Sequence, residues 1–385
     1  MRKVYLSIFF LFFLYSNSHG QRLIHDPSIP VIKNRIILEQ TRGGTVSENL
    51  TDLEYIPLKT QKGDVIDYII QTVIIEDRIG ILNNTGGFFY IFDNKGNQIK
   101  KIDKIEGYKP PNKERLVFSV ETKNNQYVLN MNNFRATLDK DGNLLDTTSK
   151  RELKNIDQVL TLGKNDFFFL NPTNRNDSTR NFALKKNDSI LVTYDNRDTI
   201  SMMFSSGSPI TKINDNLGFI SYSLPYKVFE LDSTGITRIH QFLFPFKNTV
   251  DTSEYIAFRK WDDRFRNYMN TNRDKILGIG NAFPYKDNLI LRLSGGFSRF
   301  CLAYNFNTKE ILGLHRIMPD KSNDYLNFYD NNQMFVKDEF LYSFILPDAI
   351  RRAKSKCEVE RHSMRKEYAD LEKFNNPILV RFKLK

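Results

Sequence analysis

The stretch Phe88-Phe89-Tyr90-Ile91-Phe92-Asp93-Asn94-Lys95-Gly96 joins an apolar run to a tight turn, and Gln98–Ile102 follows as a second run. Gly, Asn and Asp readily adopt the positive φ angles that short hairpin turns require. Comparable turns recur at Asp139–Gly142, Lys185–Asp188 and Asp232–Gly235. Measured at the fourth residue of each turn, the spacings are 46, 46 and 47 residues. The sequence therefore predicts a β repeat with a period near 46 residues.

Each repeat carries further apolar runs upstream of its turn. In the first repeat these are Tyr68–Ile75 and Ile79–Leu82, so three strands precede the turn and one follows it. Four short strands per unit are typical of propeller blades, because each small sheet buries its two faces only by stacking against its neighbours. The pattern predicts an all-β fold, a six-bladed β-propeller over residues 45–385. A long β-sandwich with chance spacing is the alternative.

Two helical additions are predicted within the propeller. Residues 251–270 carry aromatic side chains at helical spacing, and residues 348–374 carry an apolar stripe at steps of three, four and seven. A closing strand is predicted at 378–384. We expect it to pair with the early strand Leu53–Leu58, so that both ends of the chain lie in one blade and close the ring.

The first twenty residues have the composition of a signal peptide. Arg2 and Lys3 precede an apolar run of about twelve residues, which is short of the roughly 20 needed to span a bilayer. Small residues at Ser18 and Gly20 predict cleavage before Gln21. An N-terminal membrane anchor is the alternative. We expect a periplasmic or secreted protein whose residues 21–44 form an N-terminal extension of the propeller.

Cysteine content and charge limit the further expectations. The two cysteines, Cys301 and Cys357, lie far from the apolar start, so we expect no lipid anchor there, and we expect no transmembrane segment after signal removal. The two thiols either pair as a disulfide or stay buried and free. Loss of residues 1–20 leaves 54 basic and 45 acidic residues, a net charge of +9. Export argues against nucleic acid as the partner of this charge, and solubility, an acidic glycan or an anionic envelope surface explains the charge better.

No motif in the sequence predicts catalysis. The histidines are scattered, and no pair has the spacing of a helical zinc site. Gly296–Phe300 lacks the final glycine of a nucleophile elbow. The turn at Asp93 resembles the start of a calcium loop, but Lys95 and Lys104 stand where oxygen ligands are needed. We therefore expect no metal, no cofactor and no identifiable catalytic residue.

The inserted helix offers the best candidate ligand surface. Trp261, Arg264 and Tyr268 are predicted to bind a sugar or another flat ligand by stacking. The alternative is that this aromatic stripe packs against the blades. The basic residues of the second helix, at 348–374, pose the same choice between an anion-binding face and a solvated one.

Several stretches resemble the exported six-bladed β-propeller proteins of Bacteroidetes. They are Leu53–Thr60 with Phe89–Gly96, Tyr226–Leu231, and Asn376–Lys385. The resemblance spans roughly residues 45–385 and implies the fold and an envelope location, without any catalytic or ligand-binding residue. The chain departs from the family at Glu106–Pro111, where many relatives carry a Gly-Pro-Gly-Glu-Tyr-like loop. It also lacks the lipidated cysteine that many relatives carry after the signal.

Three functional hypotheses follow. The first is a binding or scaffold module for a glycan, peptide or protein partner, since a complete repeat carries no catalytic motif. The second is a hydrolase or lyase with acidic residues gathered in the central channel. The third is a binder of anionic surfaces through the basic helix. Convergent Asp, Glu, His or Tyr side chains in the channel would favour the enzyme, and apolar, Asn or Ser side chains would favour binding.

Overall fold

The computed structural model describes residues 28–61, 63–110, 116–131, 134–149, 156–170, 182–186, 189–194, 210–222, 226–251, 263–273, 275–295, 300–329 and 334–385. These residues form six small sheets. The described chain begins with three strands, β1 (Val31–Arg35), β2 (Arg42–Thr45) and β3 (Leu50–Pro57), with a short helix α1 (Val46–Asn49) between the last two.

The first three blades each consist of four antiparallel strands in chain order. Blade 1 contains β4 (Ile69–Ile75), β5 (Arg78–Asn83), β6 (Phe89–Asp93) and β7 (Gln98–Ile102). Blade 2 contains β8 (Ser119–Lys123), β9 (Gln126–Met131), β10 (Phe134–Leu138) and β11 (Leu144–Ser149). Blade 3 contains β12 (Ile156–Leu162), β13 (Asn165–Leu170), β14 (Phe182–Lys186) and β15 (Ser189–Tyr194).

The remaining blades each include a strand from the N-terminal segment. Blade 4 contains β16 (Ile210–Asn214), β17 (Leu217–Tyr222), β18 (Lys227–Leu231), β19 (Ile236–Leu243) and β1. Blade 5 contains β20 (Ile276–Tyr285), β21 (Asn288–Gly295), β22 (Phe300–Asn305), β23 (Ile311–Met318) and β2. Blade 6 contains β24 (Met334–Lys337), β25 (Phe340–Ile345), β26 (Ile378–Leu384) and β3.

Both ends of the chain close the ring in blade 6, as the sequence predicted. Strand β3 pairs antiparallel with β26, and Tyr55 lies opposite Val380. Leu379 of the same blade packs in one apolar cluster with Phe92 of blade 1. Because the last blade takes its outer strand from the N-terminal segment, unfolding of either end removes part of that blade.

Buried side chains connect every blade to the next. Phe89 of blade 1 meets Tyr127 of blade 2 edge to face, with ring centroids 5.0 Å apart. Shared apolar clusters then join blade 3 to blade 4, blade 4 to blade 5, and blade 5 to blade 6. The interface between blades 2 and 3 includes a hydrogen bond from Thr161 to Glu121. The six sheets therefore form a closed ring whose core lies between the blades.

The repeated turns have the geometry that their residues predict. The Oδ1 atom of Asp93 accepts the backbone N–H groups of Lys95 and Asn97 at 2.9 and 2.8 Å, and Gly96 has φ 77°. Asp139 accepts the equivalent bonds in blade 2, where Gly142 has φ 85°. These aspartates therefore hold the hairpins. Part of the turn at Lys185–Asp188 lies outside the described residues.

The predicted N-terminal extension is part of the propeller sheets. Strand β1 pairs in parallel with β19, and β2 pairs in parallel with β23. The segment thus lies along the outer strands of blades 4 and 5 and then supplies the outer strand of blade 6. Covering an outer strand satisfies its free backbone N–H and C=O groups, which a sequence repeat of four strands cannot reveal.

The predicted helical additions differ from the structure in extent. The first contains α2 (Asp263–Thr271), while residues 252–262 lie outside the described part of the chain. The second divides into α3 (Asp348–Val359), α4 (Lys366–Ala369) and a 3-10 turn (Asp370–Lys373). Among the described residues, no helix has the length and apolar character needed to cross a bilayer.

The second addition divides because its chain turns back toward a buried carboxylate. Arg361 has φ 51°, which ends the helix, and the next residues approach Asp324. His362 Nε2 and Asp324 Oδ1 lie 2.7 Å apart, and Arg365 binds the other oxygen through its backbone N–H and its Nε at 3.0 and 2.9 Å. A continuous helix would leave this buried aspartate without these partners. Helical periodicity alone carries no information about such a distant partner.

Candidate ligand site in the central channel

The innermost strand of every blade borders one central channel. Strands β4, β8, β12, β16, β20 and β24 all contribute lining residues to a cavity of about 370 Å³. Cavities of ~300–1,000 Å³ are typical of small-molecule sites. The channel is therefore a candidate ligand site.

The inner edge of β8 is satisfied by side chains from other blades. Gln71 of β4 accepts the Val120 N–H at 2.9 Å and donates to the Val120 carbonyl at 2.6 Å. Lys212 of β16 donates through Nζ to the Thr122 carbonyl at 2.8 Å. No strand lies on the channel side of β8, so these bonds satisfy backbone groups that would otherwise lack a partner. Polar side chains on the inner strands thus fix the blades relative to one another.

A buried polar network joins blades 2 and 3 beside the channel. Asn130 donates through Nδ2 to Glu121 Oε1 at 2.7 Å and to the Ser119 hydroxyl at 3.2 Å. Thr161 donates its hydroxyl and its backbone N–H to Glu121 Oε2, at 2.8 and 3.2 Å. Both oxygens of Glu121 are therefore occupied by protein donors, which suits a structural carboxylate.

Blades 4 and 5 contribute polar groups to the opposite wall. Thr211 donates its hydroxyl to Asn281 Oδ1 at 2.8 Å. Arg292 lies opposite Asn281 in the strand register and is only 4% exposed. The wall thus presents an amide and a guanidinium to the channel.

The remaining charged side chains lie at the ends of the inner strands. Glu76 accepts from Asn125 Nδ2 at 3.1 Å and pairs with Lys140 at 2.7 Å, and Asp215 pairs with Lys212 at 2.7 Å. The described lining residues include four cationic and three anionic side chains, which are Lys123, Lys212, Arg292, Lys337, Glu76, Glu121 and Asp215. Because each of the three carboxylates already has protein donors, the balance favours neutral polar or anionic ligands.

One wall residue has an unused polar atom. Thr72 lines the cavity, and its buried Oγ1 has no hydrogen-bond partner among the described residues. Burying a hydroxyl without a partner costs about 1–3 kcal/mol. Rotation of the Thr72 side chain toward the channel would let this oxygen bond a ligand hydroxyl, amide or carboxylate and would remove that cost, so Thr72 is a candidate binding group.

The residues that the sequence suggested for ligand binding lie elsewhere. Trp261 is outside the described residues, and Arg264 on α2 is exposed. Tyr268, on the same helix, is 8% exposed, so its ring is part of the packed interior. Stacking of a flat ligand by Trp261, Arg264 and Tyr268 stays a prediction, and the burial of Tyr268 favours the packing alternative for that residue.

Most of the basic residues of the second helical addition form ion pairs within the chain. Five of its eight lysines and arginines do so: Arg351 with Asp348, Lys354 with Glu372, Lys356 with Glu360, Arg365 with Asp324, and Lys373 with Asp370. Its apolar stripe packs on the core shared by blades 5 and 6. The apolar stripe and most of the basic residues of this region therefore have partners within the chain and stabilise the fold.

The two cysteines are separate buried thiols. Both are free, and burial raises the pKa of the Cys301 thiol to about 12. Burial also raises the pKa of the Cys357 thiol, which donates to the Asp324 carbonyl at 3.4 Å. Neither thiol has the exposure or the low pKa of a nucleophilic cysteine.

The comparison with protein families decides the identity of the fold. The family model DUF5128, described as a 6-bladed beta-propeller, matches residues 32–342. The chain belongs to this family. A solved structure of a Bacteroides fragilis protein, described as a putative exported protein, has a similar fold with a TM-score of 0.64. The match covers 92% of this DUF5128 chain and 99% of the other chain, at 14% sequence identity. That likeness concerns the fold alone.

A second solved structure of similar fold is also a Bacteroides protein. A member of the duf4221 family from Bacteroides vulgatus is 13% identical over 87% of this chain and 97% of its own, with a TM-score of 0.42. No curated protein matches the DUF5128 chain. The family model therefore identifies a six-bladed propeller, and neither its description nor those of these two solved structures names a ligand.

Proposed function

We propose that this protein is exported and serves as a binding or scaffold module whose ligand site is the central channel. The ligand would be a small polar molecule, or one end of a glycan or peptide. The observation that carries this proposal is the unused Thr72 hydroxyl in a channel wall whose carboxylates are already occupied. Mixed amide, hydroxyl and cationic groups recognise polar ligands by hydrogen bonding.

The same wall argues against the alternative of a channel hydrolase or lyase. Acid–base chemistry needs a carboxylate or imidazole that is free to exchange a proton with the substrate. Glu121 accepts three hydrogen bonds, Glu76 accepts two, and Asp215 pairs with Lys212. No histidine or tyrosine is among the described lining residues. Binding without turnover is the function that this arrangement supports best.

Export is part of the proposal and has its own test. The basic start, the short apolar run and the small residues before Gln21 support it. Sequencing the N-terminus of the protein recovered from the cell envelope or the medium should give Gln21 as the first residue. Recovery from the cytoplasm with Met1 retained would contradict export.

Binding is tested by screening neutral glycans, acidic glycans and short peptides against the purified protein, with titration calorimetry of those that raise its unfolding temperature. We expect Thr72→Val to keep the fold and to weaken binding of the selected ligand about tenfold, which is ~1.4 kcal/mol. Thr237→Val, on the exposed side of β19, is the matched control. Absence of binding in all three classes would contradict the proposal, as would affinities that neither Thr72→Val nor Lys123→Ala changes.

A further inference from the structure

Strand β4 presents backbone groups to the channel at alternate residues. Ile75 pairs with Arg78 across a two-residue turn, so these two residues exchange both of their hydrogen bonds within the sheet. Because hydrogen-bonded and non-hydrogen-bonded pairs alternate along an antiparallel ladder, the N–H and C=O groups of Thr72 and Ile74 point away from β5 and toward the channel. The pairing is regular over this stretch, since the register shift of these two strands lies before Gln71.

The hydrogen bonds of blade 2 show the same alternation. Lys123 pairs with Gln126 across the equivalent turn, which directs the backbone groups of Val120 and Thr122 to the channel. Val120 is the residue that Gln71 binds through both the N–H and the C=O group, at 2.9 and 2.6 Å. The channel edge of an inner strand therefore binds a group that offers one donor and one acceptor side by side.

The channel edge of β4 lacks such a partner. It ends its sheet, and among the described residues neither a side chain nor a further strand bonds the outward backbone groups of Thr72 and Ile74. Every residue of β4 from Ile70 to Ile75 lines the cavity. Blade 1 thus offers the channel two N–H groups and two C=O groups, with the Thr72 hydroxyl beside them.

The other inner strands offer the channel less. Strands β12 and β20 each contribute one described residue to the cavity wall, Leu160 and Asn281. Strand β16 has a register shift between Lys212 and Asn214, and β24 has only four residues. Strand β8 is regular, but Gln71 and Lys212 already bond its channel edge. A ligand that pairs with backbone groups therefore finds its best edge on β4.

We propose that the channel ligand is an extended peptide segment that pairs with the inner edge of β4. This inference rests on the proposed function and names the class of its ligand. Thr72 and Ile74 are two residues apart, so they match residues i and i+2 of an extended peptide, each of which presents its own N–H and C=O on one side. The peptide would lie ~4.8 Å from β4, the ordinary spacing between strands.

A glycan matches this edge less well than a peptide does. The planar trans amide of an acetamido sugar points its N–H and C=O groups in opposite directions, so it cannot bind both backbone groups of Thr72. A carboxylate accepts hydrogen bonds and donates none, so it would leave the Thr72 and Ile74 carbonyls without donors. Only a residue of an extended chain repeats the required donor and acceptor at the spacing of β4.

Proline substitutions test the direction of the backbone groups. Proline is tolerated in an edge strand where the N–H points away from the sheet, and it removes a ladder hydrogen bond where the N–H points into it. We therefore expect Thr72→Pro to keep the fold, and Val73→Pro, at the neighbouring residue, to lower the unfolding temperature by several degrees more. Equal losses in the two variants would place the Thr72 N–H within the sheet and overturn the proposal.

The ligand class is tested by titration calorimetry with a library of N-acetylated, amidated tetrapeptides and a panel of neutral and acidic oligosaccharides. We expect a tetrapeptide to bind most tightly. Thr72→Pro should bind it about tenfold more weakly than Thr72→Val, since both variants lack the hydroxyl and only the proline lacks the N–H. The same affinity in both variants would contradict the pairing. An oligosaccharide that binds more tightly than every peptide, and less tightly to Thr72→Val, would refute the peptide and leave the channel as the ligand site.

Ester analogues of the tightest tetrapeptide give a test on the native protein. Replacing one amide at a time by an ester removes a single N–H donor from the ligand. At least one such ester should bind about tenfold more weakly, because a β4 carbonyl loses its donor. Unchanged affinity of every ester would refute backbone pairing. If neither the tetrapeptides nor the oligosaccharides bind, the proposed function fails together with this inference.

Discussion

Gln71 forms two hydrogen bonds with the backbone of Val120, at 2.9 and 2.6 Å, across the boundary between blades 1 and 2. A side-chain amide thus occupies the donor and acceptor that β8 presents to the channel. The two blades meet here through a polar contact, in addition to the apolar cluster farther out. Channel-facing residues such as Gln71 therefore stabilise the contacts between blades, in addition to any part they take in ligand binding.

Replacing this amide should destabilise the ring. We expect Gln71→Leu to lower the free energy of unfolding by about 1–2 kcal/mol, because the Val120 N–H and C=O lose their partner in a partly buried place. Gln61→Leu, at an exposed position, should change it by less than about 0.5 kcal/mol. Urea unfolding measures both. Equal effects of the two substitutions would show that the bond to Val120 contributes nothing.

Two glycines with the same φ separate backbone strain from crowding. Gly96 and Gly107 both have φ 77°, but a methyl group on Gly96 would collide with the Pro57 carbonyl oxygen, whereas nothing lies within 4 Å of one on Gly107. We expect Gly107→Ala to cost about 1 kcal/mol and Gly96→Ala about 3 kcal/mol of stability. Thermal unfolding compares them, and equal costs would contradict the close contact between β3 and the turn of blade 1.

The hydrogen bonds that His362 and Arg365 form with Asp324 should make the stability of the protein depend on pH. Burial alone would raise the pKa of Asp324, but hydrogen bonds from His362 and Arg365 outweigh it and lower the pKa below its usual value. A lowered pKa in the folded state stabilises the protein above about pH 4, and the benefit is lost as the pH falls. Asp324→Asn should therefore cost about 2 kcal/mol at pH 7, and the difference from the native protein should shrink below about pH 4.

Asp338→Asn is the matched control for Asp324→Asn. Asp338 has nearly the same backbone conformation, with φ 53° against 52° for Asp324, but its side chain is 75% exposed. Its replacement should leave stability almost unchanged at every pH. Urea unfolding between pH 3 and 7 measures both variants. If Asp324→Asn lowers the free energy of unfolding equally at every pH, the stabilising interaction of the Asp324 carboxylate with His362 and Arg365 is ruled out.

The sequence predicted the repeated hairpins, the two helical regions and the closing strand pair, and it missed strands β1 and β2. Turn residues such as Gly96 and Gly142 recur at a fixed spacing because every blade needs the same hairpin. The strand Leu53–Leu58 was predicted to pair with 378–384, since a ring must close and both runs are apolar. Strands β1 and β2 have no counterpart in the repeat and pair with strands some 200 to 270 residues away in the chain, so no local pattern indicates them.

The residues of the candidate site could not be predicted from the sequence. Thr72, Glu121 and Arg292 come from different blades, and each is a single polar residue in an otherwise ordinary strand. Only the ring brings them to one channel. The aromatic spacing around Tyr268 indicated a helix face, but the same spacing serves packing and ligand binding equally well, and its burial favours packing for that residue.

Ring closure by the two chain ends is tested most directly by one engineered disulfide. Glu54 and Arg381 lie opposite each other on β3 and β26, with an ion pair at 2.5 Å. The double variant Glu54→Cys with Arg381→Cys should form this disulfide under mild oxidation and gain about 4 kcal/mol of stability, because the bond closes nearly the whole chain into one loop. Glu54→Cys with Lys383→Cys should cross-link far less. Peptide mapping of the folded protein that finds no link between residues 54 and 381, or equal links in both variants, would contradict the closed propeller.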